Sequence, residues 1–265
     1  MIIKHDGISL RSVLGCALPA NYFVIFYCIL FFLSPFINRT LNSIKAEHVK
    51  RLVVLMVLIF SVYSTCASVI GNITGNEIKG LDSVGMYGNQ SGYTIVNFSL
   101  MYIIGACIGK FKLNEHYSKN KLLLVYVGNA AVIFIWSIFE ARFPERVSTT
   151  GTMYCNPFVI LEAASLFMLF LNIDMGSNKV INKLATGVFS VFLLHSYIIG
   201  HLRIEQFVQG NALIMVIHMI ACAVGMFLVC TVCHFIYKAV TTPIYNAIFK
   251  KWNPVIVDLE NVNET

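Results

Sequence analysis

Seven apolar stretches dominate this chain, and each is long enough to form a helix across a lipid bilayer. A helix needs about 20 mostly apolar residues to cross a hydrocarbon core of roughly 30 Å. Because lipid cannot satisfy backbone polar groups, such stretches fold as helices. The sequence therefore predicts an all-α fold, a polytopic transmembrane helical bundle of about seven spans. The predicted spans are residues 21–37, 52–70, 92–109, 122–140, 154–172, 184–202 and 212–237.

Basic residues are divided unevenly between the two sets of connecting loops. Loops 39–51, 110–121 and 179–183, together with the segment after the last span, hold 13 of the 19 Lys and Arg residues. Lys and Arg resist translocation, so the richer side is expected to be cytoplasmic. With seven spans, this pattern predicts an N-terminus outside and a C-terminus in the cytoplasm.

One bundle over residues 21–240 accounts for most of the chain, with a short segment at each end. Met1–Gly7 contains Lys4, His5 and Asp6, and the turns that follow are amphipathic rather than continuously apolar, so residues 1–20 are not expected to be a signal peptide. Their apolar residues instead recur every three or four positions, which predicts a short helix lying on the outer interface. Residues 241–265 are predicted to be a cytoplasmic interfacial tail, with Trp252 beside Lys250 and Lys251.

The composition excludes a soluble domain. Hydrophobic residues make up 57% of the chain, charged residues only 12%, and the mean hydropathy is +0.74. The net charge of +6 arises beside the ends of the spans, where it attracts anionic lipid and sets orientation. We therefore expect a multi-pass protein of a cytoplasmic membrane, with the lipid bilayer as partner and no nucleic acid.

Cysteine usage suggests packing rather than a disulfide or metal framework. Nearly all of the eight cysteines lie in or at the ends of spans, where they behave as small hydrophobes. The run from Cys230 through Cys233 to His234 has the spacing used for covalent haem attachment. That chemistry requires an accessible loop on the outer face, whereas this run is predicted in the cytoplasmic half of the last span. We expect no metal and no bound cofactor.

Two ionisable residues in the predicted spans are the candidate catalytic residues, Glu162 and His195. A charged carboxylate at a helix centre costs about 2.5–3.5 kcal/mol, so Glu162 must face the bundle interior, be protonated, or both. It could act as an acid or base or bind an acceptor hydroxyl, and the alternative is a structural hydrogen bond. His195 stands among Ser190, Ser196 and Tyr197, all able to bond its ring, and satisfied packing is its alternative.

Other polar residues within the spans are assigned weaker or structural roles. His218 has no close polar company within its own helix, and a functional role for it is correspondingly weaker. Asn97, Asn129 and Asn156 are predicted to form hydrogen bonds between helices.

Three stretches, in order along the chain, resemble membrane-bound acyltransferase family 3, the integral-membrane O-acyltransferases of bacterial surface glycans. The stretches are Asn21-Tyr22-Phe23-Val24-Ile25-Phe26-Tyr27 with Leu33-Ser34-Pro35-Phe36-Ile37-Asn38, then Gly92-Tyr93-Thr94 with Leu100-Met101-Tyr102-Ile103-Ile104-Gly105-Ala106, and finally Val191-Phe192-Leu193-Leu194-His195. Tyr22 replaces a usual Trp, and Asn97 replaces a usual aromatic residue. The resemblance covers only the C-terminal part of the family architecture.

The resemblance implies transfer of an acyl group, usually acetyl from acetyl-CoA, to a hydroxyl of a surface polysaccharide or lipid-linked glycan. Family members have further leading spans, whose first carries a basic residue followed by the best-supported catalytic histidine. No counterpart occurs in this sequence, so a truncated gene or a separate polypeptide carrying those spans is expected. Glu162 and His195 would then line the donor path or position the acceptor rather than act as nucleophiles.

A different class of function also fits the sequence. In a non-enzymatic transport or flippase-like component for glycan precursors, Glu162 and His195 would bind the solute or relay protons. The Gly and Pro interruptions do not recur at corresponding positions of two halves, which weakly disfavours a broken-helix transporter.

Overall fold

The computed structural model describes residues 22–74, 90–142, 150–174, 176–199 and 211–249, which are mostly helical, with turns between the helices and no strand among the described residues. The chain divides into two compact units, residues 1–174 and residues 175–265. The first unit contains α1 (Tyr22–Ser43), α2 (Ala46–Thr74), α3 (Ile95–Lys110), α4 (Lys119–Glu140) and α5 (Pro157–Leu171). The second contains α6 (Lys179–Ala185), α7 (Val188–Ile199) and α8 (Ala212–Phe249). The predictions for residues 1–20 and for the end of the tail fall outside the described residues.

The long helices have the length and composition of membrane spans. Within the described ranges, α1, α2, α4 and α8 are long and apolar enough to cross a bilayer, whereas α3 and α5 are apolar but shorter. Large apolar side chains cover their surfaces: Phe32 and Phe36 on α1 are each 71% exposed, and Leu124 on α4 is 73% exposed. Water would penalise that much exposed apolar area, whereas lipid accepts it. The predicted all-helical fold is confirmed for the described residues, and four of the seven predicted spans coincide with helices long and apolar enough to cross a bilayer.

The connection between α1 and α2 is much shorter than the predicted loop 39–51. Helix α1 continues to Ser43 and α2 begins at Ala46. The reason is a small apolar cluster in which Leu41 and Val49, from the two helix ends, pack with Ile103 and Cys107 of α3. Burying these side chains favours continued helix at positions that charge alone assigned to a loop.

Helix α2 contains one π-helical stretch, Leu58–Tyr63. Such a stretch inserts an extra residue into the helix and changes which side chains face inward. Ser61, Ser64 and Thr65 are all buried at or just after it. A polar strip of α2 is therefore directed into the first unit.

The second unit is built on the contact between α7 and α8. The predicted span 184–202 is interrupted, because α6 ends at Ala185 and α7 begins at Val188. Gly187 lies in this turn, where an added Cβ would meet the Thr231 side chain at 3.5 Å. Helix α8 continues through Pro243 to Phe249, so the predicted tail from residue 241 begins inside a helix.

Candidate functional site

Residues 150–156, here called the 150–156 segment, form a buried polar turn between α4 and α5. Glu140, the last residue of α4, accepts hydrogen bonds from the backbone N–H of Thr150 at 2.9 Å, from the Thr150 hydroxyl, and from the backbone N–H of Gly151 at 3.2 Å. Hydrogen bonds to a carboxylate are stronger than neutral ones. Glu140 therefore fixes the start of the segment to the end of α4.

Two further side chains complete the attachment of Thr150. The indole Nε1 of Trp136 donates to the Thr150 hydroxyl at 3.1 Å, and the amide of Asn156 donates to the Thr150 carbonyl at 3.1 Å. Asn156 also caps α5 by accepting from the backbone N–H of Phe158, with Pro157 at the first helical position, where it loses no hydrogen bond. Thr150 and Asn156 are fully buried. The segment is thus a rigid element rather than a surface loop.

Helices α2 and α3 hold the other end of the segment. Ser61 donates to the Cys155 carbonyl at 2.6 Å, and the Asn97 side-chain amide donates to the Tyr154 carbonyl at 3.3 Å. Gly92 lies directly against this backbone: its φ is +86°, and an added Cβ would approach the Cys155 nitrogen to 2.5 Å. Of the three predicted interhelical asparagines, Asn97 of α3 bonds the segment that precedes α5, whereas Asn156 bonds within its own turn and Asn129 donates to the carbonyl of Val125 in its own helix, so the prediction is wrong for these two contacts.

Two buried polar atoms of this region have no hydrogen-bond partner among the described residues, Asn97 Oδ1 and Thr65 Oγ1. Thr65 follows Ser61 by four positions on α2, which places the two side chains on the same side of the helix. Native proteins pair nearly all such atoms, so each unpaired one requires an explanation. Tyr154, whose carbonyl accepts from the Asn97 amide, packs its ring edge to face on the ring of Tyr93, with the ring centroids 4.7 Å apart.

Glu162, the first candidate from the sequence, lies half-buried on α5. Its backbone carbonyl accepts from the Ser165 hydroxyl at 2.9 Å. Its carboxylate makes no hydrogen bond or ion pair with the described part of the chain. The structural hydrogen bond that was the alternative role of Glu162 therefore has no partner among the described residues. Glu162 is separate from the hydrogen-bonded set around the 150–156 segment.

His195, the second candidate, is bonded to its own helix. Its Nδ1 donates to the carbonyl of Phe192 at 2.6 Å, with the carbonyl of Val191 at 3.2 Å. Donation from Nδ1 makes Nε2 the unprotonated nitrogen of the neutral ring, and therefore a proton acceptor. Of its expected partners, Ser190 contacts a different histidine, Ser196 is exposed, and the Tyr197 side chain lies outside the described residues.

That different histidine is His234, whose Nδ1 lies 2.9 Å from the Ser190 hydroxyl, while its buried Nε2 has no partner within the described ranges. In the run that resembles a haem attachment site, Cys230 is fully buried and Cys233 is exposed. No group of three or more potential metal ligands occurs among the described residues. His218 contacts the sulfur of Cys222, with Nε2 at 3.5 Å.

Sequence reasoning missed the contribution of Glu140 and Thr150. Glu140 was placed at the end of a predicted span, where an acidic residue is ordinary, and Thr150 follows a stretch without helical periodicity. The usable signal was local: a carboxylate ending a span, followed after a short connection by Thr-Gly and then Asn-Pro before the next span. That pattern indicates a turn tied back to the preceding helix and followed by a capped helix.

These features define a helical membrane protein with a rigid, hydrogen-bonded polar turn at one end of its first unit. The sequence model of the acyltransferase family 3, described as an acyltransferase domain, matches residues 12–235. The chain therefore belongs to this family, which confirms the resemblance. Neither a curated protein nor a solved structure matches the chain.

Proposed function

We propose that the chain is an integral-membrane O-acyltransferase, or part of one, that transfers acetyl from acetyl-CoA to a hydroxyl of a surface polysaccharide or lipid-linked glycan. The observation that carries this proposal is the family match over residues 12–235 on apolar helices. Family membership gives a membrane acyltransferase in general, and the identities of the donor and the acceptor are the proposal.

Acyl transfer needs the donor and the acceptor to meet in a site that excludes water. We propose seven spans with the N-terminus outside and the C-terminus in the cytoplasm, supported by the concentration of Lys and Arg in alternate loops. In this arrangement acetyl-CoA approaches from the cytoplasm, and the 150–156 segment lies at the outer face, where a surface glycan is found. The bacterial cytoplasmic membrane is the location that fits this orientation.

The reaction requires a base for the acceptor hydroxyl and hydrogen-bond donors for the oxyanion of the attacked thioester. We propose that further spans, carried by a separate polypeptide or by a longer gene product, supply the catalytic histidine and basic residue of the family. Glu162 and His195 position the substrates in this scheme. Their support is a Glu162 carboxylate with no hydrogen bond or ion pair among the described residues, and a His195 ring whose Nδ1 is held by the carbonyl of Phe192.

The test is the acetate content of the surface glycan in the native host, after deletion of the gene and complementation with variants. Glu162→Gln and His195→Gln are each expected to lower base-labile acetate at least severalfold, with unchanged amounts of glycan. The matched controls are Glu115→Gln and His48→Gln, which alter exposed residues of the same types. They are expected to retain wild-type acetate.

A different result would favour the transport function. If deletion of the gene lowers the amount of glycan at the cell surface and leaves the acetate per sugar unchanged, the chain moves glycan precursors rather than acetylating them. If deletion changes neither quantity, both functions are excluded for this glycan. If acetate falls on deletion but is restored by both position variants, only the roles of Glu162 and His195 are excluded.

A further inference from the structure

The turn that joins α1 to α2 is fixed against α3. Leu41 and Val49, one from each side of the turn, are buried in the apolar cluster that α3 completes. The ammonium group of Lys110, at the end of α3, donates to the carbonyl of Leu41. The hydroxyl of Tyr102, also on α3, donates to the side chain of Asn38 at 3.1 Å. The backbone on both sides of the turn is therefore held in one arrangement.

Three basic side chains at this turn, here called the α1–α2 basic cluster, are free to bind a ligand. They are Arg39, Lys45 and Lys50, all exposed, and none makes a hydrogen bond or ion pair with the described part of the chain. The nearby carboxylate of Glu47 is paired with Arg51, one helical turn further along α2. The positive charge of the cluster is therefore left for an anion from outside the chain.

The chemistry of these side chains favours an anion that carries several phosphates. Guanidinium and ammonium groups form strong, charge-assisted hydrogen bonds with phosphate oxygens. Because the backbone beneath the cluster is fixed, a ligand that contacts several of its cations loses less entropy on binding. Coenzyme A carries a diphosphate and a separate 3′-phosphate, so it offers an anion to more than one of the cations at once.

We infer that the α1–α2 basic cluster binds the phosphates of the acyl-CoA donor. The inference rests on the proposed function, in which the donor is acetyl-CoA and the loop that contains this turn lies on the cytoplasmic side. Arg39, Lys45 and Lys50 hold the donor in this scheme and take no part in the transfer of the acyl group. The inference is more specific than the general attraction of basic loops to anionic lipid, because it assigns one occupant to one turn.

The first unit also supplies a matched control pair, Lys119 and Lys121. Both lysines are exposed, both lie at the start of a long helix, and neither has a partner in the described ranges. Their helix, α4, packs mainly on α5, whereas the α1–α2 turn packs on α3. An anionic lipid surface attracts both lysine pairs in the same way. A bound donor distinguishes them.

The test is the binding of coenzyme A to the full chain in nanodiscs of phosphatidylcholine, measured by titration calorimetry. Lys45→Gln combined with Lys50→Gln is expected to weaken binding about tenfold or more, because two charge-assisted contacts are lost. Lys119→Gln combined with Lys121→Gln should change it less than about twofold. Lys45→Arg combined with Lys50→Arg keeps the charge and should bind as the parent does. The parent is expected to bind 3′-dephospho-coenzyme A several-fold more weakly than coenzyme A.

Three results would overturn the inference. They are no binding of coenzyme A by the parent, equal weakening by the two glutamine pairs, and equal binding of the two nucleotides by the parent. The phosphatidylglycerol that copurifies with each variant identifies the other source of phosphate. If the change at Lys45 and Lys50 lowers this lipid and leaves coenzyme A binding intact, the occupant is a lipid headgroup and the inference is wrong.

The same measurements separate this inference from the proposed function. If the parent restores acetate to the glycan of the deletion host but any of these contrary results is obtained, the donor subsite is excluded and the acyltransferase function stands. If coenzyme A binding depends specifically on Lys45 and Lys50 but deletion of the gene leaves glycan acetate unchanged, the donor subsite stands and the proposed acceptor is removed.

Discussion

Thr150 is the residue whose replacement tests the architecture of the 150–156 segment most directly. Its hydroxyl donates to Glu140 and accepts from Trp136 Nε1, and the residue is fully buried. Valine has nearly the same shape and removes both interactions. Thr150→Val therefore tests the hydrogen bonds with little change in packing volume.

The magnitude follows from those two hydrogen bonds. Loss of the bond to a carboxylate is worth about 1.5–3 kcal/mol, and an indole N–H left without its acceptor costs about 1–3 kcal/mol. Because the bonds share one network, the two values do not add fully, and the expected loss in the free energy of unfolding is about 2–4 kcal/mol. The backbone bonds from Thr150 and Gly151 to Glu140 remain in the variant.

The assay is denaturant unfolding of the purified chain in detergent micelles, followed by the fluorescence of Trp136 in the Trp252→Phe background. The matched control is Thr152→Val, an exposed threonine of the same segment, for which the change is expected to stay within about 0.5 kcal/mol. If Thr150→Val destabilises the chain no more than Thr152→Val does, the hydrogen-bonded segment described above does not hold this end of the first unit together.

Three further predictions concern other contacts and are measured in the same unfolding assay. Gly92→Ala is expected to lower the free energy of unfolding by about 2–4 kcal/mol, because the φ of +86° and the approach of a Cβ to 2.5 Å from the Cys155 nitrogen both oppose a side chain. Gly105→Ala, where a Cβ would have nothing within 4 Å, should be nearly neutral. Equal effects of the two variants would contradict the close approach at Gly92. Asn172→Leu removes the hydrogen bonds that tie the end of α5 to the connection after α3, and a loss of about 2–4 kcal/mol is expected; an effect below about 0.5 kcal/mol would exclude this tie. Ser190→Ala leaves both ring nitrogens of His234 without a partner among the described residues and should lower the free energy of unfolding by about 1–3 kcal/mol. Adding His234→Phe should restore part of that loss. If nothing is restored, Ser190 and His234 are not coupled.

The long helices were the most predictable part of the fold, because the bilayer imposes a length and a composition that a single sequence displays. Helices α1, α2 and α4 contain or closely match their predicted spans, and α8 contains its span. Their ends were less predictable. Leu41 and Val49 extend α1 and α2 because they pack on α3, and hydropathy does not report a contact with another helix.

The candidate site was only partly predictable for a related reason. Asn97 and Asn156 stood out, because polar residues in apolar stretches are uncommon and require partners. Glu140 did not stand out, because an acid at the end of a span needs no partner when it faces water. Its three donors are visible only once the connection folds back onto α4. Ser190 likewise stood near His195 in sequence but pairs with His234 of α8.

The sequence by itself determined that this protein suits a lipid environment, that it is helical, and which family it belongs to. Long apolar stretches without charge form helices in lipid, and the family is recognised from the order of residues along the chain. Only the tertiary structure decided which polar groups meet: the carboxylate of Glu140 with Thr150, the hydroxyl of Ser61 with the carbonyl of Cys155, and the amide of Asn97 with the carbonyl of Tyr154. The physical reason is range. Hydrophobic burial in lipid depends on the composition of each segment, whereas a hydrogen bond requires a particular donor within about 3 Å of its acceptor, and packing between distant segments sets that distance.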